Sequence, residues 1–137
     1  MSRTILVTGG TGQVGNALGR LAWPAGVKVH LPTRGELDLA NRASVEAAFA
    51  AHPYAAVINC AAYTAVDRAE DEVVEAFAAN AMGPALLAAA TAAAGIPLLH
   101  LSTDYVFDGE ADGFYREDAP VAPLLSLIHI SEPTRPY

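Results

Sequence analysis

The sequence predicts an α/β protein built on a doubly wound parallel sheet. Three observations point there. Short apolar, largely β-branched runs alternate with helical stretches along most of the chain. The runs do not alternate polar with apolar, as befits strands covered on both faces. The first run is followed at once by Thr8-Gly9-Gly10-Thr11-Gly12-Gln13-Val14-Gly15, a glycine turn that opens a helix.

Thr4–Val7 reads as the first strand and Gln13–Trp23 as the first helix, ended by Pro24 and Gly26. Between them, Gly9 permits a turn that a Cβ would obstruct. Gly12 lets the main chain approach a phosphate, and Gly15 lets the helix pack closely on the strand. Strand, tight turn and helix N-terminus together make a site for a pyrophosphate. Val27–Leu31 is the second strand. Glu36-Leu37-Asp38-Leu39 is expected to hold a short third one. Asn41 caps a helix running to about Ala51, which His52-Pro53 closes. Ala56–Asn59 is the fourth strand. A long helix follows from about Glu72 to Ala94, with a break expected near Gly83-Pro84 because proline cannot donate its backbone hydrogen bond. Gly95 stops it, and Leu98–Ser102 is the fifth strand, after which the sheet is expected to be truncated. Ligands in such sheets sit beyond the carboxyl ends of the strands, so the residues following each strand converge on one edge.

Bulk properties narrow the function. The 137 residues fit one domain, and 53% hydrophobic content with a mean hydropathy of +0.27 indicates a packed core. The net charge of -7 and scattered basic residues argue against a nucleic-acid partner. Cys60 is the only cysteine, which excludes an internal disulfide and suits a reducing cytoplasm. No signal peptide is expected. The apolar run Ala85–Ile96 is too short and too alanine-rich to span a bilayer, so no membrane is expected as a partner.

The chemistry sits after the strands. An acid after the second strand would hold a ribose 2′-hydroxyl, whereas an arginine would accommodate a 2′-phosphate. Here Thr33-Arg34 comes first, with no acid until Glu36, which favours NADP; the plain alternative is a solvated turn. Asn59-Cys60-Ala61-Ala62-Tyr63 leaves room for the ribose and nicotinamide side. Asp67, Arg68, Glu70, Asp71 and Glu72 read as a solvated helix start, with acids placed favourably at the N-terminus. Ser102-Thr103-Asp104-Tyr105-Val106-Phe107-Asp108-Gly109 either offers hydroxyls to a carbonyl oxygen on which charge develops or forms a Ser/Thr turn capped by Asp104. His30, His52, His100 and His129 show no metal-ligand spacing, and no metal is expected.

These blocks, with Thr33–Leu39, Asn59–Glu70 and Asn80-Ala81, resemble the extended short-chain dehydrogenase/reductase family and, within it, the dTDP-4-dehydrorhamnose reductase group. The resemblance runs from Met1 to about Leu124. It implies a Rossmann fold binding NADP(H), with NAD(H) as the alternative. It also implies reduction of the C4 ketone of dTDP-4-dehydro-6-deoxy-L-mannose to dTDP-L-rhamnose. The cofactor positions it implies are Gly9, Thr11, Gly12, Gln13, Val14, Gly15, Arg34, Asp38, Leu39, Cys60, Ala61, Ala62, Tyr63 and Ser102. Thr103, Asp104, Tyr105 and Val106 would face the dTDP-sugar, with Thr103 orienting the ketone. In the family a tyrosine donates the proton and a lysine lowers that tyrosine's pKa. The chain departs from the family there: the tyrosine position holds Leu127 and the lysine position Ser131. Two other readings fit part of the pattern. One is a non-catalytic NADP-binding relative such as the regulatory subunit of methionine adenosyltransferase. The other is a different sugar-nucleotide reductase or epimerase.

The end of the chain changes character. Of the 29 alanines none lies beyond Ala122, and Leu125-Ser126-Leu127-Ile128-His129-Ile130-Ser131-Glu132-Pro133-Thr134-Arg135 resembles a translated sequencing-library adapter. Residues 1–124 are therefore expected to be a truncated cofactor-binding domain and residues 125–137 a non-native tail. Deleting Leu125–Tyr137 is expected to leave dinucleotide binding unchanged and solubility unchanged or improved. Loss of binding by a deletion variant that keeps its circular dichroism spectrum would make the tail a structural element.

Overall fold

A computed structural model describes residues 2–123; Leu124 onward, including Leu127 and Ser131, lies outside the described residues. Four strands form the sheet: β1 (Arg3–Thr8), β2 (Val27–His30), β3 (Tyr54–Asn59) and β4 (Leu98–His100). All pairings are parallel, in the order β2-β1-β3-β4. Helices connect them: α1 (Gln13–Arg20), α2 (Arg42–Ala51), the single turn α3 (Val66–Ala69), α4 (Val73–Phe77) and α5 (Gly83–Ala94). Leu6 of β1 and Val57 of β3 meet Val45 of α2 and Leu86 and Leu87 of α5 in one core. Leu6, Val57 and Leu87 are inaccessible to solvent.

The expected alternation holds, with one strand fewer. Residues 36–39 are not a strand. The amides of Glu36 and Leu37 both donate to the Thr33 carbonyl at 3.0 Å, and the Asp38 amide donates to Ser44 Oγ at 3.0 Å. Three of the segment's four amides are thus satisfied locally and are not available to a ladder. Leu37 is instead driven into the core, with Leu39 packed beside it. The strand expected as fifth is therefore the fourth among the described residues, and it ends at His100 rather than Ser102. The first helix also stops sooner than expected. Leu21 is extended, and the Trp23 indole N–H folds back onto the Leu18 carbonyl at 2.9 Å, where the next turn would have formed. Asn41 caps α2 as expected, its side-chain oxygen accepting from the amides of Ala43 and Ser44.

The long helix is unbroken from Val73 to Ala94. Proline at position 84 is accommodated by a π-helical turn, Ala78–Met82, joining α4 to α5. There the Gly83 amide reaches five residues back to the Ala78 carbonyl. The widened turn moves the chain past the place where Pro84 supplies no donor. At 22 residues the helix is long and apolar enough, by length and composition, to cross a membrane, unlike the Ala85–Ile96 run considered above. Leu86, Leu87 and Thr91 bury one face of it against the sheet and α2, as in a core helix. Gly95, at φ 66°, ends it in the left-handed conformation.

The carboxyl ends of three strands are tied by one buried amide. Asn59 Oδ1 accepts from the Thr8 hydroxyl and from the Ala61 amide at 3.1 Å, and its Nδ2 donates to His100 Nδ1 at 3.0 Å. Asn59 is inaccessible to solvent. Asn59→Ala would leave three buried or half-buried polar groups without their partner. A loss of about 2–4 kcal/mol of unfolding free energy is expected in urea titrations. A loss under about 0.5 kcal/mol, the level of an ordinary surface change, would show the network contributes nothing.

Candidate functional site

The glycine turn is shaped by close approach. Gly9 sits at φ +73°, and a Cβ there would lie 2.6 Å from the Ala61 amide nitrogen and 2.7 Å from the Cys60 carbonyl. A Cβ on Gly15 would lie 2.2 Å from the Gly9 carbonyl oxygen. Neither position admits a side chain without moving the backbone. The turn is thus pressed between β3's exit loop and the first turn of α1. Gly12 is the N-cap of α1, no side chain caps it, and no acid occupies the first turn. The N-terminal amides of α1 and the positive end of its dipole face the edge where the strands end.

An open cleft of about 500 Å³ runs along that edge. Four segments wall it, one of them the helical stretch after β3 with Arg68, Glu72, Glu75, Ala78 and Ala79. Gly9, Thr11 and Gly12 of the glycine turn form the floor; Arg34, Asp38 and Leu39 come from the segment after β2; Cys60, Ala61, Ala62 and Tyr63 come from the segment after β3. These last ten are among the residues expected at the cofactor. Gln13 and Val14 are exposed beside the cleft on α1, and Gly15 is buried beneath it, consistent with a packing role. Ser102, Thr103, Asp104 and Tyr105 follow β4 but do not line this cleft. Thr103 Oγ accepts from the Tyr105 amide at 3.2 Å, so Thr103, not Asp104 as expected, caps the single 3₁₀ turn Asp104–Val106. Val106 is not exposed as expected of a sugar contact. It is 4% exposed and packs against Ala69 and Ala76, an apolar side chain turned into a small second core.

The contacts made by several residues on and behind the walls were not legible in the sequence. Asn80, in the π turn, clamps the loop after β3: its Oδ1 accepts from the Tyr63 amide at 2.8 Å and its Nδ2 donates to the Tyr63 carbonyl at 3.0 Å. Glu72 was read as part of a solvated charge run. It instead accepts from the Tyr63 hydroxyl at 2.5 Å and pairs with Arg68, whose Nε lies 3.1 Å away. The hydrogen bond to Glu72 raises the Tyr63 pKa, and the same bond followed by Arg68 lowers that of Glu72. Burial raises the Cys60 thiol, which stays protonated at neutral pH. Arg34 is exposed on the cleft wall, and its guanidinium has no protein partner among the described residues. The described residues contain no group of three or more His, Cys, Asp or Glu able to hold a metal ion.

A parallel sheet, a glycine turn with no space for Cβ atoms and a helix N-terminus over the strand ends define a dinucleotide-binding protein of the Rossmann class. Within that class the chain belongs to the RmlD substrate-binding-domain family, whose model matches residues 3–126. It is 49% identical over 118 residues to a dTDP-4-dehydrorhamnose reductase of Streptomyces griseus, covering 86% of this chain and 39% of the relative. The dTDP-4-dehydrorhamnose reductase of Clostridium acetobutylicum superposes with a TM-score of 0.90 at 37% identity, covering 96% of this chain and 47% of that one. The enzyme of Bacillus anthracis, solved in complex with NADP, gives 0.89 at 31% identity, covering 98% and 49%. The chain thus spans about two fifths of the length of the curated relatives it matches.

His100 gives the site's support a pH dependence. Burial lowers its pKa below the ordinary histidine range. Its Nδ1 accepts from Asn59, so protonation would also oppose that bond. The unfolded chain therefore takes up the proton first as pH falls, and stability drops below about pH 6.5. Urea midpoints measured between about pH 7.5 and 5.5 are expected to fall for the wild type and to fall less for His100→Gln. Equal slopes would remove His100 as the cause.

Proposed function

We propose that the cleft holds NADP(H), with the pyrophosphate over the Gly9–Gly15 turn and the 2′-phosphate on Arg34. Asp38, Leu39, Cys60, Ala61, Ala62 and Tyr63 line the remainder of the cofactor in this reading, and Ser102, which follows β4 outside the cleft, is left out of it. One observation carries it: a glycine turn that admits no Cβ at Gly9 or Gly15, with the uncapped N-terminus of α1 at Gly12, stands on the same cleft as an arginine with no protein partner among the described residues. NAD(H) would use the same cradle with less need of Arg34. The bound cofactor supplies a hydride; the protein's own residues bind, orient and exclude water.

The whole protein, in our reading, reduces the C4 ketone of dTDP-4-dehydro-6-deoxy-L-mannose to dTDP-L-rhamnose. The 49% identity to a dTDP-4-dehydrorhamnose reductase and the NADP held by the Bacillus anthracis relative support it. In this reading the Thr103 hydroxyl, which here donates to Asp104 Oδ1 at 3.4 Å and accepts from the Tyr105 amide, turns its proton to the ketone, with Asp104 and Tyr105 beside it. The partner is then a dTDP-sugar in the cytoplasm, with no nucleic acid or membrane. Leu127 cannot donate a proton and Ser131 carries no charge, so the 137-residue chain binds cofactor without turnover. Those two residues also favour a second reading, a non-catalytic NADP-binding subunit. Native Tyr-x-x-x-Lys codons after Leu124 would decide against it.

Binding by fluorescence titration tests the cofactor site. Arg34→Ala is expected to weaken NADP(H) about tenfold or more, as for loss of a charged hydrogen bond. NAD(H) should change little. An unchanged preference removes Arg34 from the site. No NADPH oxidation is expected with the dTDP-hexulose; measurable turnover would overturn the assignment of Leu127 and Ser131.

A further inference from the structure

Glu36 poses a problem for a 2′-phosphate on Arg34. It lies two residues away in the same turn, and a carboxylate in this part of the fold ordinarily serves a ribose 2′-hydroxyl and repels a phosphate there. Left free, it could also neutralise Arg34.

The turn prevents both. Glu36 Oε2 accepts from the Thr33 amide at 2.7 Å and from the Thr33 hydroxyl at 2.8 Å. The Thr33 carbonyl in turn accepts from the amides of Glu36 and Leu37, each at 3.0 Å. Every polar atom of Thr33 is engaged in holding the residue that follows Arg34 and Gly35. The same two bonds, more than the charge of His30, hold the Glu36 carboxyl below the usual carboxylate range. Leu37 anchors the far end of the turn in the core, at 5% exposure. Arg34 is left at the tip, on the cleft, with no carboxylate as partner among the described residues.

We infer that Thr33 is a specificity-determining residue: it ties back the Glu36 carboxylate, so that Arg34 stays free for a 2′-phosphate and this carboxylate is not offered to a 2′-hydroxyl. This rests on the reading of the cleft as a dinucleotide site. Its effect is electrostatic and exposed to solvent, so it is modest in size and weakened by salt. Thr33 acts through Glu36 and is a positioning residue, not a phosphate ligand.

The experiment measures NADP(H) and NAD(H) affinities of the 137-residue chain by fluorescence titration at low and high salt. Thr33→Val removes one of the two tethers. It is expected to weaken NADP(H) about fivefold with NAD(H) unchanged or tighter, and the loss should shrink at high salt. Adding Glu36→Gln to Thr33→Val removes the charge and should restore NADP(H) affinity to within about twofold of wild type. Thr33→Ser keeps the hydroxyl and should keep the preference. If the double variant stays as weak as Thr33→Val, the hydroxyl meets the phosphate itself and the inference is wrong. Should Thr33→Val fail to fold by circular dichroism, Glu36→Gln alone decides. Glutamine still accepts from Thr33, so the NADP(H)/NAD(H) ratio should hold or rise, and a fall overturns the inference. A wild type that binds neither dinucleotide overturns the cleft reading itself, and this inference with it.

Discussion

The Asn59 side chain is the constraint on which the site depends. A parallel sheet aligns its strands by slanted backbone bonds, and those bonds end where the strands end. The ligand edge lies just beyond that point. Asn59 carries the alignment one step further by bonding Thr8, Ala61 and His100, which come from β1, the exit of β3 and β4. With the Ala61 amide as an obligate donor, the oxygen of Asn59 must face it, so the amide nitrogen faces His100. His100 Nδ1 is then the acceptor and the ring is neutral. The backbone of Cys60 and Ala61, held this way, forms the wall against which Gly9 is pressed. A glycine at position 9 is needed because Asn59 fixes what it meets.

The far end of the same wall depends on a second amide. Asn80 bonds both backbone groups of Tyr63, which supplies the exit loop of β3 with partners that secondary structure cannot. It is placed to do so by the π turn that Pro84 accompanies. Gly83, in the next residue pair, lies against Leu39, where a Cβ would sit 3.1 Å from the leucine Cβ. The helix therefore touches the segment after β2 and, through Asn80, the loop after β3. Its irregularity lets one helix support two walls of the cleft.

How much of this was legible in the sequence follows from the range of the interactions. The glycine turn, the Asn41 cap and the strand–helix alternation depend on neighbours within a few residues, and each is visible in the residue string. The glycine turn, Arg34 and the Cys60–Tyr63 segment followed from the parallel topology, which puts all strand exits on one edge, whereas Asp38 and Leu39 came only with the family resemblance. The strand expected at Glu36–Leu39 was misread because an apolar–acidic alternation suits a strand as well as a turn that buries Leu37. The competing local bonds to Thr33 and Ser44 decided it. Glu72 looked like solvated charge because its partners Tyr63 and Arg68 are set by the fold of a loop. Asn80 stood in a helical run of alanines with no outward sign that it reaches 17 residues back. Val106 lay in a polar block, and only the packing of Ala69 and Ala76 shows that it turns inward. The proton-donor and lysine positions fall outside the described residues.

Charge across the cleft explains why an acidic chain can be built for an anionic ligand. The net charge of -7 repels a phosphate at long range. Two arginines line the cleft, and Arg68 is already paired with Glu72. Arg34 is the remaining guanidinium, and a single exposed cation cannot offset the acids around it. Affinity must then come from groups that carry no net charge: the amides of the glycine turn and the dipole of α1. These act within the first turn and are silent at a distance, so they select a ligand by shape and contact rather than by attraction. Gly12, where a Cβ would meet only the Gly9 carbonyl oxygen at 3.3 Å, leaves the backbone open to such contact, whereas Gly9 and Gly15 are required by packing within the protein. Labour within the cleft is then divided. In the proposed reading the cradle recognises what all dinucleotides share, while the Thr33–Leu37 turn faces the group by which they differ.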